Sequence, residues 1–214
     1  MNLKLIFLYK YFWLFWFKLL LKFKIKGLEN FKDYESEGVL FIANHSGHVD
    51  AVLTGIAIPW SYFKRTKTIR FMTYYKYIEE VFYGPVTKFC GGYSIRPNGG
   101  NLDESMAETI DILKNKKHNV LMFPEGKKMD KLDLDKIRPG LGYLAKKIDP
   151  QIVPVYIEGT LGLGFLEALF KQRKVEIKFG KAFRYRDIAK EDDDFITISK
   201  KAMAEVVKLR EKND

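Results

Sequence analysis

Cysteine is almost missing from this chain: among 214 residues only Cys90 occurs, which excludes an internal disulfide. A lone cysteine fits a reducing compartment, and nothing near Cys90 marks it as a nucleophile, so it reads as a small buried hydrophobe. Histidine is nearly as scarce, with only His45, His48 and His118. No H-E-x-x-H stretch is present, so the helical zinc-hydrolase pattern is absent. The G-x-S-x-G turn of serine hydrolases and the G-x-x-x-x-G-K-[ST] phosphate loop are also missing. No repeat appears at periods of roughly 20–50 residues, which excludes solenoid and propeller arrays. Linkers and low-complexity tracts are lacking too. Acidic side chains are absent from residues 1–26.

What is present points to a folded domain with a basic surface. The composition is 47% hydrophobic and 30% charged, so the chain is neither disordered nor fibrous. Its length suits one domain with a sizeable core, or a domain with an appendage. A net charge of +10 favours an anionic partner: nucleic acid, an anionic membrane surface, or an acidic carrier or substrate.

Residues 1–26 read MNLKLIFLYKYFWLFWFKLLLKFKIK. At about 100° per residue, Lys4, Lys18, Lys22 and Lys26 share one helical face, while Trp13, Leu14, Phe17, Leu20 and Leu21 lie largely on others. The uncharged run from Tyr11 to Phe17 is short, against the roughly 20 apolar residues a spanning helix needs. Lysines at a bilayer centre cost about 2.5–3.5 kcal/mol each on the insertion scale. No small-residue cleavage site follows, which argues against a signal peptide. The expectation is a helix over 1–26 lying in the membrane interface, aromatics in the acyl boundary and lysines at the headgroups. A basic helix packed on the protein's own core is the alternative. The remaining residues, 27–214, would form the folded domain.

Strand and helix signals alternate along the rest of the chain. Strands are expected at Val39–Ala43, Thr68–Tyr74, Gly91–Ile95, Asn119–Phe123 and Ile152–Ile157, with an outer strand at Val175–Phe179. Helical spacing appears from Val52, over Glu79–Phe89 with a break at Gly84-Pro85, and over Asn101–Lys114, Gly140–Lys147 and Asp192–Lys212. The order implies an α/β domain, a mainly parallel or mixed central sheet flanked by helices.

Four short blocks fall at the ends of these strands. The first is Asn44-His45-Ser46-Gly47-His48-Val49-Asp50. Where a strand turns into a helix, His45 and Asp50 can converge. The carboxylate then fixes one imidazole tautomer, and the other nitrogen can take a proton from a hydroxyl. A turn histidine with an aspartate helix cap is the plain alternative. His45, His48 and Asp50 also supply three metal-ligand types, but without a recognised ligand spacing this reading is the weaker one. The second block, Gly91-Gly92-Tyr93-Ser94-Ile95-Arg96, ends in an arginine, the side chain best shaped for phosphate. The third, Phe123-Pro124-Glu125-Gly126-Lys127-Lys128, ends a buried strand with a carboxylate, a glycine and two lysines able to face a phosphate. The fourth is Val153-Pro154-Val155, whose internal proline implies an edge or a bulge near a site. Each block alone also fits an ordinary surface turn.

Their order carries more. N-H-x-x-x-x-D, then G-G-Y-S-I-R, then F-P-E-G, then V-P-V resembles the PlsC-type glycerolipid acyltransferase family, from about Val39 to Gly159. The resemblance implies that His45 is the general base and Asp50 its partner. It also implies that Arg96, Glu125 and Gly126, with Lys127 and Lys128 beside them, bind the phosphate or glycerol part of an acceptor. The family's third block usually continues Thr-Arg-Ser, whereas here Lys127-Lys128-Met129 follows. The implied reaction moves a fatty acyl group from acyl-CoA or acyl-carrier protein to the hydroxyl of 1-acyl-glycerol-3-phosphate. No metal or other cofactor is expected, and the acyl thioester is a co-substrate. The expected partners are membrane lipids and the acyl donor, with no nucleic acid, at the cytoplasmic membrane face as a monotopic or peripheral protein. Rival readings are another lysophospholipid or aminolipid acceptor, a non-catalytic lipid-binding module, and a nucleic-acid binder suggested by charge and aromatics.

Overall fold

Seven strands make one mixed sheet in the order β1-β7-β6-β2-β5-β3-β4. The computed structural model describes residues 11–12, 14–16, 21–81, 83–96, 101–163 and 173–211. The strands are β1 (Lys22–Lys26), β2 (Leu40–Ala43), β3 (Ile69–Tyr74), β4 (Gly92–Ile95), β5 (Asn119–Met122), β6 (Ile152–Glu158) and β7 (Lys174–Phe179). Strands β6, β2, β5, β3 and β4 are mutually parallel, so their C-terminal ends share one edge of the sheet. Strand β7 runs antiparallel to β6, and β1 runs parallel to β7.

The central strands are apolar throughout because helices cover both faces. On β2, Phe41 and Ala43 enter one core with α1 (Asp50–Ala57) and α2 (Trp60–Arg65). Leu40 and Ile42 enter the other core, with α5 (Leu102–Ile110), α6 (Gly140–Ile148) and α7 (Phe195–Glu211). A strand buried on two sides reads as a continuous hydrophobic run, which is how parallel sheets differ from half-exposed ones. Two shorter helices, α3 (Tyr75–Glu79) and α4 (Tyr83–Phe89), link β3 to β4.

Three expectations change. The helix expected over 1–26 does not extend through Lys22–Lys26, which is a strand paired residue for residue with Lys174–Lys178. The lysines there also satisfy a period of two: Phe23 is buried while Lys22 and Lys24 are exposed. The free edge of β7 offers a hydrogen-bonded ladder, and the strand period prevails over the helical one. Residues 11–12 and 14–16 are helical, and the rest of the expected helix before Leu21 lies outside the described residues. No helix among the described residues is long and apolar enough to cross a membrane.

Strand β7, expected outermost, lies inside the sheet between β1 and β6. Its alternation of Val175, Ile177 and Phe179 with Glu176 and Lys178 suggested one wet face, yet Glu176 and Lys178 are both buried. Glu176 lies 3.4 Å from Lys26 and 4.0 Å from Lys178, so paired charges stand where solvent was expected. The helical break expected at Gly84-Pro85 comes earlier, between α3 and α4, and the proline sits in the first turn of α4, where its missing N–H is harmless. Pro154 lies in interior strand β6, but the pairing steps by one residue there, from Val155–Phe179 to Ile152–Phe183, as a bulge requires.

Candidate active site

The turn that follows β2 is held from three sides. Asn44 has both side-chain functions on one peptide strand: its amide donates to the Ile157 carbonyl at 2.8 Å and its carbonyl accepts the Ile157 N–H at 2.8 Å. That pins the start of the turn to the neighbouring β6. Ser46 and Thr160 hydroxyls lie 2.9 Å apart. Gly47 is pressed against the same segment, since a Cβ there would stand 2.5 Å from the Thr160 carbonyl oxygen. Only glycine allows this approach.

Within the turn, one oxygen of Asp50 organises the backbone and the imidazole together. Asp50 Oδ2 accepts from Ser46 N–H at 2.8 Å, from Gly47 N–H at 2.8 Å and from His45 Nδ1 at 2.9 Å. The carboxylate is fully buried at the first turn of α1, where a negative charge is favoured by the helix dipole. The His45 ring stacks on Phe123 with centroids 4.2 Å apart and stays partly open to solvent. The carboxylate favours the tautomer with its proton on Nδ1, which leaves the lone pair on Nε2. An imidazole held in this way can act as a proton acceptor.

The turn after β5 closes the site from the adjacent strand. Glu125 Oε1 accepts the His45 N–H at 3.1 Å, and the Met129 N–H donates to the His45 carbonyl at 2.8 Å. Both peptide groups of the histidine are therefore fixed by the Phe123–Met129 segment. Glu125 is buried, and its Oε2 has no hydrogen-bond partner among the described residues. Burial pushes its carboxyl up to about 7, with the Asp50 charge adding to the rise and the His45 N–H opposing it. Gly126 turns the chain with φ +68, a left-handed conformation that suits glycine. Lys127 and Lys128 follow on the exposed side, and Lys128 Nζ reaches the His48 ring, 3.3 Å from Nδ1. Burial, with Lys128 and His45 nearby, holds the His48 imidazole below its usual value.

The structure thus brings together His45, Asp50, Glu125, Gly126 and Lys128, and leaves Lys127 exposed beside them. Arg96 stands apart. Strand β4 is the third neighbour of β2 across the sheet, so at about 4.8 Å per strand the two strand ends are roughly 14 Å apart. The Arg96 guanidinium pairs with Glu79 and lies 5.0 Å from the Tyr75 ring centroid. Among the described residues no group of three or more histidine, cysteine or acidic side chains is arranged to hold a metal. Cys90 is half-buried against the core on the α1 side.

Two contributors were missed in the sequence. Asn44 belongs to the quoted block, and its place just before the histidine was the available signal. Arg138, whose side chain lies on Gly126, carries no local signal because it reaches that turn from a different segment.

The strand-end histidine and aspartate and the Pro-Glu-Gly turn across from them sit on a mostly parallel sheet flanked by helices, an α/β class of domain. The chain belongs to the Acyltransferase family, whose model matches residues 22–158, well over half its length. That match begins at the first residue of β1. Among solved structures, the fold is similar to the crystal structure of the 1-acyl-sn-glycerophosphate (LPA) acyltransferase PlsC from Thermotoga maritima. The TM-score is 0.62 at 18% sequence identity, covering 90% of this chain and 73% of that one. A search among curated proteins found no match.

Proposed function

We propose that this acyltransferase acts on a glycerophospholipid precursor, 1-acyl-glycerol-3-phosphate, and forms phosphatidic acid. The observation that carries this reading is the 2.9 Å contact between His45 Nδ1 and the buried Asp50 carboxylate. It leaves Nε2 as the nitrogen that can act as a base. His45 Nε2 takes the proton of the acceptor hydroxyl. The oxygen attacks the carbonyl carbon of the acyl thioester, of acyl-CoA or acyl-carrier protein, and the tetrahedral intermediate collapses by breaking the C–S bond. The proton held on His45 passes to the departing sulfur. Oxygen gains the acyl group, sulfur gains the proton, and no oxidant or metal enters.

The basic character of the chain, net +10, suits both an anionic acceptor and an anionic bilayer surface. The lysine- and aromatic-rich residues before β1 would hold the domain on the cytoplasmic membrane face as a monotopic or peripheral protein, where lipid acceptor and product reside. The similarity to a lysophosphatidate acyltransferase supports the same acceptor class. The test is acyl transfer by purified protein, using radiolabelled acyl-CoA or acyl-carrier protein and a panel of lysolipids. Transfer to 1-acyl-glycerol-3-phosphate is expected, and His45→Ala should lower it about 10²–10⁴-fold while leaving the fold intact. A His45→Ala protein as active as the wild type would remove the base assignment.

A further inference from the structure

In 1-acyl-glycerol-3-phosphate the reacting hydroxyl and the phosphate ester occupy neighbouring carbons. If the hydroxyl is at His45 Nε2, the phosphate must bind within a few bonds' reach of that ring. The cation that receives it therefore belongs to the turns around His45. Arg96 does not meet this condition well, because its strand end is roughly 14 Å from that of β2 and its guanidinium is committed to Glu79. Lys128 is near, but its ammonium is against the His48 ring. A lysine also offers a point charge without the planar fork that matches a phosphate.

One guanidinium is built into the turn itself. The Arg138 N–H donates to the Pro124 carbonyl at 3.0 Å, which ties the segment before α6 to the Pro124-Glu125-Gly126 turn. Its side chain lies directly on Gly126: a Cβ at that glycine would stand 2.5 Å from Arg138 Nε and 2.8 Å from its Cδ and Cζ. The absence of a side chain at position 126 is what lets the guanidinium lie there. Gly126 follows Glu125, whose carboxylate holds the His45 N–H, so the arginine is one residue removed from a direct contact of the base. Arg138 is exposed. The chain places Lys127-Lys128 after Gly126 and so has no arginine of its own in that loop.

We propose that Arg138 binds the acceptor's phosphate and is the side chain that selects phosphate-bearing acceptors. This rests on the glycerol-phosphate reading above. The experiment is steady-state kinetics of the full chain with Arg138→Gln and Arg138→Lys, using 1-acyl-glycerol-3-phosphate and, for comparison, monoacylglycerol. Arg138→Gln is expected to raise KM for the phosphate acceptor roughly 10- to 100-fold, as loss of a charge-assisted bidentate contact implies. The kcat and the KM for the acyl donor should stay within about threefold, a split that general damage to the site would not give. Arg138→Lys should fall between, since it keeps the charge and loses the fork. Both substitutions preserve the backbone bond to Pro124, and equal melting temperatures would confirm that the turn is intact. If wild type acylates 1-acyl-glycerol-3-phosphate and the Arg138→Gln KM lies within about twofold of it, the role of Arg138 is overturned and the functional reading stands. If wild type acylates only the uncharged acceptor, both are overturned.

Discussion

Replacing Asp50 with asparagine separates the charge of the aspartate from its geometry. Asp50 Oδ2 receives three donors, from Ser46, Gly47 and His45. An asparagine carbonyl oxygen in the same place can accept all three. Its amide nitrogen then occupies the Oδ1 position, which is buried and has no partner among the described residues. Leaving that N–H unpaired costs about 1–3 kcal/mol. Removing a buried charge works in the opposite direction, so the fold should be nearly as stable as before. The reaction loses more. When His45 takes the proton it becomes an imidazolium 2.9 Å from the carboxylate, an attraction of about 5–6 kcal/mol at an effective dielectric constant near 20. The amide dipole returns part of this. A loss of about 3–5 kcal/mol remains, which corresponds to about 10²–10⁴ in kcat. Initial rates of labelled acyl transfer and melting temperature, measured on the same preparations, read the two effects apart. The expected result is the rate loss with KM for both substrates little changed and the melting temperature within a few degrees. An Asp50→Asn protein within about tenfold of wild-type kcat would refute the electrostatic coupling of the pair.

Two further outcomes follow from the same geometry. Burial raises the Glu125 carboxyl from 4.5 to about 7, so the native state holds its proton more tightly than the unfolded chain. That contribution to stability is full below about pH 4.5 and is lost as pH rises through 7. The displacement corresponds to roughly 3 kcal/mol. Glu125→Gln keeps an acceptor for the His45 N–H and never ionises. Its stability advantage in urea unfolding should grow by that amount between about pH 5 and 8.5, and a difference that does not change with pH would reject the assignment. Removing residues 1–20, which leaves β1 whole, should release the protein from anionic liposomes at moderate salt while its unfolding midpoint is retained. Continued binding would place the membrane contact elsewhere on the domain.

Much of the chemistry was legible in the sequence because it is local. His45 and Asp50 are five residues apart across one strand-to-helix turn, a distance over which backbone geometry alone limits where the side chains go. The central strands were legible for a related reason. Leu40–Ala43, Asn119–Met122 and Ile152–Glu158 carry apolar side chains on both faces, and a short run of that kind, bounded by turn residues, has few other homes.

Tertiary structure decided what local pattern leaves open. Lys22–Lys26 satisfies helical and strand periods alike, and only the free edge of β7 selected the strand. Glu176 and Lys178 looked like solvent-facing residues until Lys26 and the sheet interior provided partners. Glu125 read as a group at the substrate end of its strand, and only the fold shows that it is buried and accepts the His45 peptide N–H. Arg138 and Gly126 are twelve residues apart and make contact only because the chain returns to the turn before entering α6. The sequence by itself determined which residues can do acid–base work and which strands are buried, since those properties follow from side-chain chemistry and short-range periodicity. The order of the strands, the charges that share a space and the arginine lying on Gly126 depend on contacts between distant segments, and packing settled those.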